Sequence, residues 1–136
     1  MFQFDSILIY TATTYNVKIS VSSEFEHAMS DPEEQSYIFS YKILIENLGD
    51  EPVHLLERQW YVIDSLGVNT EVHGDGVVGE KPIILPGEAY EYSSWCQLST
   101  DAGKMFGYYV MKTLNDGKHV DVRIPEFLLL PTFKLN

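Results

Sequence analysis

The chain has 136 residues and a formal net charge of −11 at pH 7, from 20 acidic and nine basic side chains. This length is typical of one domain that can fold without a disulfide or a metal. The negative charge disfavours nucleic acid and anionic lipid as partners. Cys96 is the only cysteine, which excludes an internal disulfide and favours a reducing, cytoplasmic location. We expect no signal peptide and no membrane insertion, because the start MFQFDSILIY has no basic region and no apolar run reaches about 18–20 residues.

Alternation of apolar and polar residues predicts strands along most of the chain. Residues 15–21 and 37–45 alternate clearly, and the acidic stretch between them predicts a solvated loop around Pro32. Residues 53–64 are apolar at most positions, which indicates a central strand. Further strands are predicted at residues 68–72, 83–85, 89–94, 105–114, 120–124 and 127–130.

This pattern predicts an all-β fold. No window has a sustained 3.6-residue apolar period, and seven to nine short strands with turns between them indicate a β-sandwich of two antiparallel sheets. We find no linker, so residues 1–136 form a single domain. Residues 1–14 are an additional N-terminal strand or arm, and its apolar part, residues 2–10, would add an edge strand or pair with a second copy in a homodimer.

The stretch HGDGVVGEKP contains glycines at the spacing G-x-G-x-x-G, with Gly74, Gly76 and Gly79 in the three places. In dinucleotide-binding folds a helix begins at the third glycine and its free N–H groups hold the pyrophosphate. Here Pro82 and Pro86 leave room for about one helical turn, which is too short to be stable. We therefore expect a turn between strands of a β-protein, where glycine allows a positive φ and a close backbone approach.

A second interpretation of the loop stays open, because successive backbone N–H groups can form an anion nest without a helix. Asp75 and Glu80 disfavour phosphate there. His73, beside the loop, is the histidine that we most expect to contact a ligand. The four histidines and Cys96 lack the spacings of a metal site, and no nucleophile elbow is present. We therefore predict no metal, no cofactor and no catalytic residue.

Four motifs in order resemble the ApaG family, also called the DUF525 domain, over about residues 15–132. They are Y-x-F-x-Y-x-I-x-I-x-N-L-G, L-L-x-R-x-W, V-x-G-x-G-V-V-G-x-x-P and P-G-E-x-x-x-Y-x-S. The resemblance implies an immunoglobulin- or fibronectin-III-like sandwich with no established enzyme activity and a link to magnesium and cobalt homeostasis. In larger F-box and polymerase-associated proteins, such domains look like modules for protein interaction or ligand recognition. The family's glycine motif, discussed as a phosphate- or pyrophosphate-binding loop, maps onto the three glycines above.

We therefore expect a non-enzymatic binding module whose partner is a protein or a small anionic ligand. The predicted surface is the glycine loop with Trp95 as an aromatic anchor; Trp95 stands where family members often have T-S-G. Arg58, Trp60 and Tyr92 are further candidates for a surface or pocket, and Arg58 and Trp60 share a strand face where they could hold a buried carboxylate. The alternative function is a phosphate- or pyrophosphate-binding protein, or a phosphoanhydride hydrolase, that uses the glycine loop.

Overall fold

The structure is a computed structural model that describes residues 8–131. Within this part of the chain nine strands form two antiparallel sheets, packed face to face as a sandwich. The predicted all-β sandwich of seven to nine strands is confirmed. The strands are β1 (Tyr10–Thr14), β2 (Val17–Phe25), β3 (Tyr37–Asn47), β4 (Val53–Asp64), β5 (Asn69–Asp75), β6 (Ile83–Ile84), β7 (Ala89–Leu98), β8 (Gly103–Thr113) and β9 (His119–Leu129).

The four-stranded sheet has the order β1-β2-β3-β7, and the five-stranded sheet has β5-β4-β8-β9 with the short β6 paired to β4. Two 3₁₀ turns, at His27–Met29 and Pro32–Glu34, lie in the acidic connection between β2 and β3. The alternating apolar side chains of both sheets meet between them and form one buried core.

The central strand β4 is apolar at most positions because a β-bulge changes which of its residues point inward. The pairing with β8 shifts between Leu55 and Glu57. Before the shift Val53 and Leu55 are buried, and after it Trp60 and Val62 are buried. Since one extra residue reverses the two-residue period, odd and even positions both contribute to the core.

The last strand differs from the sequence prediction, which divided it at Pro125. The structure has one strand, β9, from His119 to Leu129. Its pairing with β8 shifts between Met105 and Gly107, so that two residues, Pro125 and Glu126, lie opposite one. A bulge leaves a residue outside the regular ladder, and proline is tolerated there because it has no N–H to donate.

One lateral side of the sandwich, made by β1, β2 and β9, is closed by contacts between the sheets, and we call it the closed side. The backbone N–H of Arg123 donates to Thr14 Oγ1 at 3.2 Å, and Ser23 Oγ donates to the Leu128 carbonyl at 2.8 Å. The rings of Tyr10 and Phe127 also meet, with centroids 6.4 Å apart. Of the predicted N-terminal arm, residues 10–14 form β1, and residues 1–7 lie outside the described residues.

The opposite lateral side is made by β5 and β7, which are the end strands of their sheets. Between residues 8 and 131 no hydrogen bond joins these two strands, and neither has a strand partner on its outer edge. We call this region, consisting of β5, β7 and the cleft between them, the open side. It contains Trp95 and the beginning of the glycine motif.

Candidate functional site

The glycine loop is a tight hairpin that follows β5. The N–H of Val77 donates to the Glu80 carbonyl at 2.8 Å, and the N–H of Glu80 donates back to the Val77 carbonyl at 2.9 Å. The two residues between them, Val78 and Gly79, have φ values of 48° and 78°. Positive φ at both central residues is typical of a type I′ turn. The expected backbone turn is therefore present at the third glycine of the motif.

The other two glycines allow close packing of the loop. Gly76 has a φ of 61°, and a Cβ there would lie 2.1 Å from the carbonyl oxygen of Glu80. Gly74 lies opposite Arg58 in the β4–β5 ladder, and a Cβ at Gly74 would lie 2.8 Å from Arg58 Nη1. Gly76 therefore excludes a side chain, because backbone occupies the space, whereas a side chain at Gly74 would require the Arg58 guanidinium to move.

Arg58 holds the loop through its backbone carbonyls. Nη1 of its half-buried guanidinium donates to the carbonyls of Asp75 at 2.9 Å and Gly76 at 3.0 Å. The sequence analysis expected that Arg58 could hold a buried carboxylate, whereas these two bonds of Nη1 go to backbone carbonyls. The guanidinium passes over Gly74, where a side chain would block it.

Three backbone N–H groups of the loop donate to acceptors within the protein. Besides the reciprocal bonds of Val77 and Glu80, the N–H of Gly76 donates to the Leu56 carbonyl at 2.8 Å. At the loop rim, Lys81 Nζ lies 3.8 Å from Asp75 Oδ2. An anion nest needs N–H groups that are free to face the ligand, and these three already have protein acceptors.

His73 is on the other face of β5 from the contact between Arg58 and Gly74, because neighbouring strand residues point in opposite directions. Its Nδ1 lies 3.0 Å from Gln59 Oε1, and its Nε2 lies 3.2 Å from Glu57 Oε1. Both ring nitrogens thus contact side chains of β4. The structure does not bring His73 together with Arg58.

Two of the residues predicted for a surface or pocket are buried in the core. Trp60 is 3% exposed and packs against the rings of Tyr41 and Phe127, at centroid distances of 5.4 and 5.9 Å. Tyr92 is 9% exposed, and its hydroxyl is hydrogen-bonded to that of Tyr109. Burial raises the pKa of Tyr92 and of Tyr109, and the nearby Arg58 guanidinium lowers both pKa values to a smaller extent. This tyrosine pair joins β7 to β8 and so connects the sheets.

The sequence analysis singled out Tyr92 but not Tyr109. The signal was present, because Tyr109 has the same parity as the buried Met105 and Met111 on β8. What the alternation could not show was that its hydroxyl meets one from the other sheet, since cross-sheet pairing is not a local property.

The open side contains a cleft of about 330 Å³. Apolar side chains of β4, β5 and β7 line it together with polar ones: Val62, Asp64, Val68, Thr70, Val72, Trp95, Cys96, Gln97, Leu98 and Ser99. Trp95 is 60% exposed although it is the largest apolar side chain of the region. Cys96, beside it, is half-buried, and burial raises the pKa of its thiol to about 12. The thiol is therefore a weak nucleophile at neutral pH.

A second cavity, of about 280 Å³, lies at the end of the sandwich between the β1–β2 turn and the β8–β9 turn. Its lining includes Tyr15, Asn47 and Asp116 but none of the residues predicted for a site. Among residues 8–131, no group of three or more His, Cys, Asp or Glu side chains is arranged to hold a metal ion. That part of the chain also has no helix long and apolar enough to cross a membrane.

The fold and the site define a class of protein: an all-β sandwich whose G-x-G-x-x-G motif is a self-contained hairpin next to a cleft with an exposed tryptophan. Comparison with known proteins identifies the family. Residues 27–113 match the model of the ApaG domain, DUF525. The chain is 44% identical over 121 residues to Protein ApaG of Agrobacterium fabrum, and the alignment covers 89% of this chain and 92% of that protein. Protein ApaG of an Azoarcus species is 41% identical over 116 residues, with coverage of 85% and 91%. The chain belongs to the ApaG family, as the motifs predicted.

Solved structures agree with the fold. A crystal structure of a protein from Bordetella pertussis superposes with a TM-score of 0.83 at 38% identity, covering 88% of this chain and 97% of that one. An X-ray structure of a structural-genomics target gives a TM-score of 0.84 at 37% identity, with coverage of 92% and 94%. The C-terminal domain of Wzt, at 9% identity and a TM-score of 0.52, shares the fold alone.

Proposed function

We propose that this protein is a non-enzymatic binding module that recognises a partner protein through the open side of its sandwich. The observation that carries the proposal is the exposure of Trp95, at 60%, beside a cleft between two end strands. Tryptophan is enriched among the residues that dominate binding energy at protein interfaces. A rigid sandwich that exposes a cleft and a hairpin loop is a common scaffold for recognition.

The contacts of the glycine loop favour protein recognition over the alternative of phosphate binding or phosphoanhydride hydrolysis. Phosphate chemistry needs N–H donors and cationic side chains that face the substrate. Here the N–H groups of Gly76, Val77 and Glu80 have acceptors within the protein, and Arg58 Nη1 donates to two loop carbonyls. Binding of pyrophosphate would have to compete with these bonds.

Several finer predictions stay part of the proposal. They are the link to magnesium and cobalt homeostasis, the cytoplasmic location, the likeness to immunoglobulin and fibronectin-III domains, and a homodimer formed through the N-terminal segment. The pairing is proposed for the apolar residues 2–10, of which only residues 8–10 are described. Most of this pairing therefore lies outside the described residues. Light scattering over a range of concentrations tests the homodimer, and a monomer at every concentration would reject it.

The experiment compares affinity capture from the native cell by the wild-type protein and two variants, with quantitative mass spectrometry. Trp95→Ala removes the exposed side chain of the open side. Leu128→Ala is the matched control, since Leu128 is an apolar side chain 42% exposed on β9, on the closed side. We expect partners that the wild type and Leu128→Ala retain and Trp95→Ala loses. Equal capture by all three proteins would contradict the proposal.

A calorimetric titration with pyrophosphate, ATP, Mg²⁺ and Co²⁺ tests the alternative. We expect no binding in the micromolar range. Micromolar binding of pyrophosphate that is lost in Gly76→Val, with the fold retained by circular dichroism, would instead favour the phosphate-binding function.

A further inference from the structure

The end strand β7 has few of the features that normally protect the edge of a sheet. Natural edge strands are short, or carry lysine, proline or a bulge that prevents pairing with another chain. β7 has ten residues, AYEYSSWCQL, without lysine or proline. Its pairing with β3 runs from Ala89 to Leu98 without a register shift. Its outer edge is therefore a regular row of backbone donors and acceptors with no strand partner among residues 8–131.

We propose that this edge binds an extended, basic segment of a partner protein, which adds to the four-stranded sheet as a further strand beside β7. The inference rests on the proposed function and specifies its partner. Strand addition obtains affinity from main-chain hydrogen bonds and specificity from side chains that enter pockets at every second position. Both elements are present, because the free edge of β7 lies next to the cleft.

The cleft determines which side chains the segment needs. Along β7, Tyr92 and Leu98 are buried with Cys96 half-buried, whereas Trp95 is exposed on the outer face. A strand added beside β7 would continue this alternation. Every second side chain would point toward Val72 and Val62, which line the cleft, and the others would lie beside Trp95. The segment therefore carries apolar residues at alternate positions.

The charge of the open side selects a basic segment. Residues 62–79 contain three acidic side chains and residues 83–103 contain three more, and neither stretch contains lysine or arginine: Asp64, Glu71, Asp75, Glu88, Glu91 and Asp101. Lys81, which lies between the two stretches, has its Nζ 3.8 Å from Asp75 Oδ2. The whole chain has a net charge of −11, which includes these residues. Complementary charge favours a cationic partner and accelerates its association.

The same charge argues against a second copy of this chain as the occupant. Two copies that met through β7 would bring the same acidic stretches together, and like charges across an interface cost free energy. A basic segment with apolar residues at alternate positions would pair with the backbone edge of β7, fill the apolar cleft and complement the acidic side chains.

The test uses three synthetic peptides of about the length of β7. The first alternates lysine and valine, the second alternates glutamate and valine, and the third is the lysine peptide with an N-methyl group at every residue. N-methylation removes the backbone donors along both edges but keeps the side chains and charge. Calorimetry measures binding to the full-length protein, and amide hydrogen exchange by NMR measures protection of the β7 N–H groups that do not pair with β3.

We expect the lysine peptide to bind and to slow the exchange of alternate amides within Ala89–Leu98. The glutamate and N-methylated peptides are expected to bind at least about tenfold more weakly. Equal binding of the lysine and N-methylated peptides would show charge attraction alone and overturn the proposal. Absence of binding by the lysine peptide, or self-association through β7 seen by light scattering together with protection of the same amides, would overturn it too.

Two variants localise the site. Glu91→Lys places a cation on the exposed face of β7 and should weaken binding of the lysine peptide at least about tenfold, as lysine does on natural edges. Asp121→Lys is the control, because it makes the same change of net charge at an exposed position of β9. This variant should bind the lysine peptide nearly as the wild type does. Equal weakening by both variants would show that net charge alone matters. If the peptides fail but capture in the cell still depends on Trp95, strand addition is wrong and the proposed function stands.

Discussion

The closed and open sides of the sandwich differ in what joins the two sheets. On the closed side the sheets are linked by hydrogen bonds from Arg123 and Ser23 and by Phe127, whose ring contacts Tyr10, Tyr41 and Trp60. On the open side the buried hydroxyl pair of Tyr92 and Tyr109 links the sheets, and the N–H of Ser65, next to the cleft residue Asp64, donates to Thr100 Oγ1 at 3.2 Å. Beyond this pair the rim separates into a cleft. Packing on the closed side therefore stabilises the fold, whereas the open side leaves polar and apolar surface exposed for binding.

Basic residues are also unevenly distributed. Half of the eight basic residues within the described part lie in the β8–β9 hairpin, at Lys104, Lys112, Lys118 and Arg123, whereas residues 62–79 and 83–103, which include β5 and β7, have none. An edge without lysine is open to pairing with another strand. The difference shows that one small sandwich can have one side that is well packed and another side with an edge strand that is open to pairing. The following variants test this contrast through the free energy of unfolding.

The largest loss is expected on the closed side, from Phe127→Ala. Phe127 is fully buried, and truncating a buried phenylalanine costs about 3–5 kcal/mol through lost transfer energy and a cavity. Urea denaturation measures the change. Phe106→Ala is the matched control, because Phe106 is only half-buried and stacks on Tyr61 at 5.2 Å. Equal losses would mean that Phe127 has no special role in joining the sheets.

A smaller loss is expected in the glycine loop from Gly76→Ala. Its Cβ would lie 2.1 Å from the Glu80 carbonyl oxygen at a φ of 61°, so that overpacking and backbone strain together cost at least about 2 kcal/mol. Gly79→Ala, at a φ of 78° with nothing within 4 Å, bears the strain alone and should lose about 1 kcal/mol. If urea denaturation gives the reverse order, the close approach at Gly76 does not determine the loop.

Tyr92→Phe should cost about 1–3 kcal/mol, because it leaves the buried Tyr109 hydroxyl without its partner. The pH dependence gives a second test. Burial raises the pKa of Tyr92 above the ordinary value of 10.0, so that above about pH 10 the unfolded chain loses a proton that the folded protein keeps. The wild type therefore loses stability as the pH rises above 10. In Tyr92→Phe that slope should be shallower by about 1.4 kcal/mol per pH unit. Parallel slopes would contradict the assignment.

One substitution in the glycine loop should stabilise the protein. Val78 has a φ of 48° and is 62% exposed at the first central position of the loop turn. A positive φ is strained for a β-branched residue, and asparagine before glycine is preferred in type I′ turns. We expect Val78→Asn to raise the free energy of unfolding by about 1 kcal/mol, measured by urea denaturation. Val78→Thr keeps the branched Cβ and should give no gain.

The smallest effect is expected for Trp95→Ala. Its exposed side chain makes a limited contribution to the core, so the free energy of unfolding should change by no more than about 0.5 kcal/mol. The same variant should lose partner capture. A loss of several kcal/mol in urea denaturation would show that Trp95 supports the fold, and the contrast between the two sides would then disappear.

Much of the fold was accessible from the sequence. The alternation predicted β3, the apolar residues at most positions of 53–64 predicted the central β4, and Pro82 and Pro86 correctly excluded a helix after the glycines. The division of β9 at Pro125 was wrong, because whether a proline interrupts a strand depends on a bulge opposite Phe106 in another strand. Arg58 and Trp60 were correctly placed on one face. Their roles differ because Arg58 faces Gly74 at the sheet edge and Trp60 faces the core.

The sequence by itself determined the class of fold, most of the turns and the family, because periodicity, glycine and proline act locally on the backbone. It missed the turn at Tyr15 and Asn16, which it assigned to a strand. Only the tertiary structure decided how the pieces meet. It joined Arg58 to the glycine loop, paired Tyr92 with Tyr109, and left β5 and β7 apart with Trp95 exposed. These are relations between residues that are distant in the chain, and they depend on strand order and on the packing of one sheet against the other, which alternation along one strand does not specify.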